Sequence, residues 1–361
     1  MTATVANSAG GFARGSAPAG PPVDDGVLLC SGGYDNVIKV WSAYNANCCL
    51  RSLSHSESQV NCLHITPDRS YFVAGGYQSV RLYEVASQNS NPAVTFEGIT
   101  KNVTSIGSHE AFSFMFTTGE DGYARIWDAR DARGGSQCQR KFEAKAPLNG
   151  GVLHPNQTCL FVCDQQGSIH MWDLRTGFND SVRLAKECSI QSIDIDRQAR
   201  NAVAVDNKGR VYLLRLDEPL VERSPFVFND CPVALRFTGH SKYALKCKFS
   251  PDGLSIVTGS ADKTAKLWSV LELEQHLDKE MAVDNDELFR EVVVSPKKVL
   301  TFEGQRWVWD VEFTMDSEHL FTASSDNTVR LWNLSTAEPV RDYSHAKGVI
   351  ALAFMDKAVV D

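Results

Sequence analysis

No stretch of this chain approaches the ~18 consecutive apolar residues of a membrane-spanning helix, and no hydrophobic signal core follows Met1. Basic residues are in deficit, with Lys+Arg 36 against Asp+Glu 44 and a net charge of -8. That balance argues against a nucleic-acid partner, because neutralising phosphates takes concentrated Lys and Arg. Metal-site spacing is missing as well. The 10 cysteines include no paired Cys-x-x-Cys units, and the 9 histidines form no His-x-x-x-His pair. Cys159 and Cys163 could share one side of a strand, but two sulfurs alone make no zinc site. Buried, reduced thiols are expected. The chain also lacks a phosphate-binding G-x-x-x-x-G-K-[ST] loop, a strand-linked G-x-G-x-x-G and a G-x-S-x-G elbow. No catalytic machinery is legible, so neither an enzyme nor a cofactor is expected.

Hydrophobic residues at 43% and charged residues at 22% are ordinary for a globular protein. Residues 1–25 are Ala, Gly, Ser and Pro with little to pack, and read as a disordered tail ahead of a folded region over 26–361. A length of 361 residues suggests two or three domains, but the repeats argue for one ring.

Four segments share a template: Asp35 to Trp41, Asp121 to Trp127, Asp262 to Trp268 and Asp326 to Trp332. Each places Asp six residues before Trp, with apolar and polar positions alternating between them, the pattern of a strand entered by a tight turn. Weaker copies end at Tyr83, Trp172 and Leu214, which makes seven equivalent positions. Setting aside an extra segment of 27 residues (271–297), their mean spacing is 44 residues. This matches the roughly 40–45-residue period of WD40 repeats. The predicted fold is all-β, a seven-bladed WD40 β-propeller. The chain opens with three strands and no innermost partner, and ends on the apolar run Gly348–Phe354. The C-terminal strand is therefore expected to join the N-terminal blade and close the ring.

Within a blade, the turn Asp can accept from a His in the preceding loop, and that His can reach a hydroxyl and the Trp indole. His240, Thr258, Asp262 and Trp268 are the expected members of one such chain. They resemble a catalytic triad on paper, yet the set recurs with the repeat period, which marks it as structural.

The innermost strands align as triplets, among them Gln59-Val60-Asn61, Tyr243-Ala244-Leu245 and Trp307-Val308-Trp309. The central member is expected to point into the blade stack and its neighbours toward the channel entrance, on the face of the turn Asp residues. That ring is uncharged, polar and aromatic, a composition suited to protein contact. Gln59, Asn61, Tyr243, Trp307 and Trp309 are the candidate partner-binding residues. The 27-residue segment carries eight acids against three bases, so it holds most of the net negative charge. It reads as a solvated loop between the third and fourth strands of its blade, with Leu273, Leu277 and Met281 permitting a short helix, on the face opposite the aromatic ring.

The stretches Gly33-Tyr34-Asp35, Ser58 to Asn61, Thr66 to Ser70, Ala124 to Asp128, His154 to Gln157, Tyr243 to Cys247 and Arg306 to Asp310 go beyond generic repeats. Together they resemble the small WD40 subunit of target-of-rapamycin (TOR) kinase complexes, the lethal-with-SEC-thirteen family, over residues 27–356. The resemblance implies a non-catalytic scaffold shared by TOR complexes 1 and 2 in nutrient and growth signalling, stabilising the kinase domain through its C-terminal lobe. It implies a cytoplasmic protein, reaching vacuolar or lysosomal membranes only through the complex. Carried over, it assigns Gln59, Asn61, Trp307 and Trp309 to the partner contact; Tyr243 is added from its position. The long Ala/Gly N-terminus, the acidic segment and Leu214 depart from the family pattern. The alternative reading, a WD40 substrate adaptor of a ubiquitin ligase, would call for a basic peptide-reading ring that the sequence lacks.

Overall fold

A computed structural model describes residues 27–44, 49–55, 58–129, 137–184, 186–216, 234–278, 289–301 and 306–356. The predicted tail, and the middle of the acidic segment with Met281, lie outside the described residues. Seven antiparallel sheets stand around a ring. We number them as blades 1–7 and letter their strands a to d from the channel outward. Blade 1 draws strand a (Val349–Met355) from the C-terminal end and strands b, c and d (Leu28–Gly33, Val37–Ser42, Cys49–Ser54) from the N-terminal end. Leu29 pairs with Phe354 and Cys30 with Ala353, so the ring closes by the expected strand. Gly33 is required at that seam, since a Cβ there would lie 2.1 Å from the Gly348 carbonyl oxygen.

There is no central core. The buried apolar residues fall into seven clusters, each made by two neighbouring blades. One of them joins Phe161 and Met171 of blade 4 to Ile190, Ile193 and Leu214 of blade 5. A blade therefore has both faces buried only when both neighbours are present, which is why a repeat of this kind folds as a closed ring. Burial grades outward with strand position. Blade 5's strand b, Asn201–Asp206, is buried at every residue, whereas blade 3's strand d, Cys138–Glu143, is nowhere fully buried. The thiols follow the same gradient. Cys30, Cys62, Cys163, Cys188 and Cys247 are buried, but Cys49 and Cys138 lie on outer strands and are exposed or half-exposed, as is Cys159. The expectation of uniformly buried thiols thus fails where a cysteine falls on a blade's rim.

The turns between strands b and c lie on one face of the ring, and each needs a left-handed residue: Asn36, Gln78, Gly122, Gly167, Gly209, Lys263 and Asn327. In blade 6 the turn is held by a continuous chain. Asp262 Oδ2 lies 2.9 Å from His240 Nδ1, His240 Nε2 is 2.7 Å from Thr258 Oγ1, and the Trp268 indole N–H donates to the same hydroxyl at 2.9 Å. Asp262 also accepts from the Ser241 and Thr264 N–H groups and from the Thr264 hydroxyl. Burial alone would raise its carboxyl, but these hydrogen bonds outweigh it and hold Asp262 far below the usual carboxylate range. Blade 1 repeats the chain across the seam, with His345 bridging Asp35 at 3.0 Å and Ser31 at 2.7 Å. In blades 4 and 5 the acid stands eight residues before the c-strand position rather than six, as Asp164 and Asp206, and accepts from His170 and from Arg210 with Tyr212.

The acidic segment differs from expectation. It does leave on the face opposite the turns, after strand c of blade 6 (Thr264–Ser269), and it does begin with the short helix, but its described ends are docked rather than solvated. It opens as a helix, Val270–Asp278, whose Leu273 is fully buried in the cluster between blades 5 and 6. Residues Phe289–Glu291 then add in parallel to strand d of blade 5 (Ala234–Thr238), making that blade five-stranded. Only afterwards does Lys298–Thr301 complete blade 6. Val270, Leu273, Val292 and Val294 supply the apolar surface that anchors the ends of a charged segment.

Candidate functional site

The innermost strands surround a channel of about 600 Å³. One local device aims side chains into it. In blades 3 to 7 the pairing of strand a with strand b slips by one residue near the turn face, for example between Val308 and Asp310, leaving Trp309 unpaired. Corresponding slips leave Thr104, Asn149, Gln191 and Leu245 unpaired, and the seam of blade 1 leaves Ile350. A bulge bends its strand and re-aims the extra residue. All six bulged residues, with Asn61 at the matching place in blade 2, line the channel. The central residues, Val60, Val103, Leu148, Ile190, Ala244, Val308 and Val349, are buried between blades. The first residues of the triplets divide into two groups. Gln59 and Asn102 line the channel, whereas Trp307 and Tyr243 stand outside it on the rim, 39% and 53% exposed.

The mouth has two arcs. On one side Trp309 stacks at a tilt on Trp307, with ring centroids 5.1 Å apart, and meets Tyr34 edge-on at 6.3 Å. The Trp309 indole N–H donates to Ser325 Oγ at 2.7 Å, which fixes the ring, while Trp307 leans outward. On the other side lies a chain of amides. Gln59 Nε2 donates to Asn61 Oδ1 at 2.9 Å, Asn61 Nδ2 to Asn102 Oδ1 at 3.3 Å, and Asn102 Nδ2 to Glu120 Oε2 at 2.9 Å. Gln59, Asn61, Trp307 and Trp309 therefore share one mouth, Tyr243 flanks it from blade 6, and the blade chain of His240, Thr258, Asp262 and Trp268 sits inside blade 6.

Sequence reasoning missed Tyr34, Tyr77 and Glu120. Tyr77 is 50% exposed and bridges to Asn102 through its backbone. It occupies the place of the turn Asp, six residues before Tyr83, so the break in the repeat was its signal. Glu120, one residue before the turn Asp121, carried none.

Below the mouth the channel becomes charged. Lys246 Nζ is 3.4 Å from Asp310 Oδ1 and Lys248 Nζ is 3.6 Å from Glu312 Oε2. Asp310 also accepts the Leu352 N–H at 2.9 Å, and Asp194 accepts the Phe249 N–H at 2.7 Å. Glu312 raises Lys248 against the opposing effect of burial, while burial pushes Asp194 up. Burial, helped by Lys248, lowers His64 to about 4, so its imidazole is neutral at pH 7. These groups neutralise one another across blades 5, 6, 7 and 1, an arrangement that ties strands together rather than one poised to transfer a proton. Among the described residues, one trio of ligand-type groups occurs, Asp316, Glu318 and His319. It lies on a turn of the opposite face, where Asp316 already caps Thr314 and the Glu318 N–H.

Comparison with known proteins agrees with this geometry. The WD domain, G-beta repeat family model matches residues 23–42, 47–84, 90–128, 232–269 and 296–333. The unmatched stretch between 128 and 232 holds blade 4 and the three inner strands of blade 5, the two blades with the displaced turn acid. The mouse protein named "Target of rapamycin complex subunit LST8" is 40% identical over 337 residues, covering 93% of this chain and 97% of its own length. The "Protein LST8 homolog" of Drosophila melanogaster is 37% identical over 92% of this chain and 97% of its own length. The Saccharomyces cerevisiae "Target of rapamycin complex subunit LST8" is 37% identical over 70% and 81%. With 40% identity to the mouse protein over 93% of its length and a closed seven-bladed ring, the chain belongs to the LST8 family of WD40 propellers.

Proposed function

We propose that this chain is a non-catalytic subunit of TOR kinase complexes 1 and 2, and that it binds and stabilises the C-terminal lobe of the kinase domain through the channel mouth. The observation that carries the reading is the aromatic arc. Trp307 and Tyr243 are large and exposed beside a Trp309 locked by a hydrogen bond, on a ring whose opposite arc is a chain of amides ending on Glu120. Exposed tryptophans beside rigid neighbours are the residues from which binding hot spots are built. Relatives that align over 93% and 70% of this chain carry the name of TOR complex subunits, which supports the choice of partner. The kinase complex accounts for a cytoplasmic role without a spanning helix, and none of the described helices is long and apolar enough to cross a membrane.

The test is co-purification with the TOR kinase. Removing one central tryptophan costs about 2 kcal/mol or more of binding. Trp307→Ala combined with Trp309→Ala is therefore expected to abolish capture of the kinase, with circular dichroism and melting temperature close to wild type. A folded double mutant that still captures the kinase in full defeats the assignment.

A further inference from the structure

The amide arc has a direction, and a single carboxylate sets it. A carboxylate can only accept, so the group that Asn102 turns toward Glu120 Oε2 must be its NH2. That places Asn102 Oδ1 toward Asn61, which must answer with its own NH2 and leaves Asn61 Oδ1 to accept from Gln59 Nε2. Reversing any one amide would set two donors or two acceptors face to face. The chain therefore ends on acceptors at both ends, Gln59 Oε1 and the second oxygen of Glu120. Neither has a hydrogen-bond partner among the described residues.

The charge around it points the same way. The channel is lined by four carboxylates, Glu120, Asp194, Asp310 and Glu312, against two ammonium groups, Lys246 and Lys248. The lysines are engaged deeper down by Asp310 and Glu312, and among the described residues Glu120 pairs with no cation. Across the mouth stand the rings of Trp309 and Tyr34, whose faces attract a cation electrostatically. An anion would meet the charge of Glu120 here, with no free ammonium group among the described lining residues to balance it. An apolar group would bury two unpaired acceptors, which is costly.

We infer that the channel mouth receives a basic side chain of the partner, an arginine or lysine, with Glu120 as its counter-charge and Gln59 Oε1 as a second acceptor. This rests on the reading that the mouth is the kinase-binding surface, and it states what that surface recognises beyond aromatic contact.

Glu120→Gln in the full chain tests it, because the variant keeps the length of the side chain and an oxygen for Asn102 while removing the charge. Capture of the TOR kinase by the purified variant is expected to weaken about tenfold. Wild-type capture should weaken as salt rises, and the variant's should be nearly indifferent to salt. A variant with wild-type melting temperature that binds normally, or binds weakly with unchanged salt dependence, overturns the inference. The Trp307→Ala, Trp309→Ala double mutant run alongside separates the two claims. If it loses the kinase while Glu120→Gln does not, the basic side chain is refuted and the mouth stands. If it keeps the kinase, the mouth reading itself falls.

Discussion

The chain that ends on Asp262 and the chain that ends on Glu120 are both hydrogen-bonded runs closed by a carboxylate, and they do opposite things. The chain from Trp268 through Thr258 and His240 to Asp262 lies inside blade 6, and the Asp262 carboxylate is met by four hydrogen bonds, from His240, the Ser241 N–H, and the Thr264 N–H and hydroxyl. The chain from Gln59 through Asn61 and Asn102 to Glu120 lies at the channel mouth, is half-exposed, and ends on acceptors that no protein group among the described residues meets. A satisfied buried chain has no capacity left for a ligand, so its energy goes into the fold. An unsatisfied chain in reach of solvent adds little to the fold and leaves its terminal groups for a partner. Ending on an acid does not separate the two, since both do. Closure does.

The largest break in this comparison comes from the seam. Blade 1 draws Ser31, Asp35 and Trp41 from the N-terminal end of the chain and His345 from the C-terminal end, so its closed chain exists only in a closed ring. Truncation after Asp342 removes His345 together with the innermost strand, Val349–Met355, and strips one side from the clusters on either side of blade 1. Loss of the cooperative thermal transition is expected. A truncated protein that melts as sharply as full length would show that the seam is dispensable.

A smaller break cuts each chain once. Asp262→Ala leaves His240, Thr264 and the Ser241 N–H unanswered in a buried turn, an expected loss of about 3–5 kcal/mol of stability by denaturant titration. The fraction that remains folded should still capture the kinase, because blade 6 contributes to the mouth through Tyr243 rather than through this chain. Asn102→Ala cuts the open chain and is expected to change stability by about 0.5 kcal/mol or less, as at other exposed polar sites, while weakening capture. Equal stability losses from the two substitutions would erase the distinction between them.

Much of the closed chain was legible because it recurs. Seven c-strand positions, one spacing and one Asp-to-Trp offset were enough to place Asp262, His240, Thr258 and Trp268 in one blade, and the seam followed from counting strands at the two ends. The open chain has no period. It joins two residues of blade 2 to two of blade 3, and its acid lies beside the more conspicuous turn Asp121. Bulges also have no sequence signature in these strands, so which triplet member enters the channel had to be seen. The acidic segment was misread for a related reason. Its partner, the strand Ala234–Thr238, belongs to the preceding blade, and a parallel pairing across two blades is a non-local choice that charge counting cannot reveal.

His55 sharpens the comparison most finely, because it belongs to a closed chain that lost its acid. It occupies the loop before blade 2, fully buried, where Tyr77 has replaced the turn Asp. Its Nδ1 faces the Tyr83 hydroxyl at 3.2 Å, and its Nε2 has no protein partner among the described residues. Burial, assisted by the nearby Arg81, lowers its pKa to about 4 from an ordinary value of 6.5. Burial does the same to His64 in the channel. Since the unfolded chain binds these protons more readily, stability is complete above pH ~6.5 and falls as pH drops toward 4, by ~1.4 kcal/mol per pH unit for each proton taken up. Burial lowers His154 and His345 as well, so substituting His55→Gln should remove one of several such protons and leave a shallower dependence of unfolding free energy on pH between 6 and 4.5. Denaturant titrations at four or five pH values measure that slope directly. An unchanged slope would mean that His55 is already paired as His240 is, and that the missing acid costs blade 2 nothing.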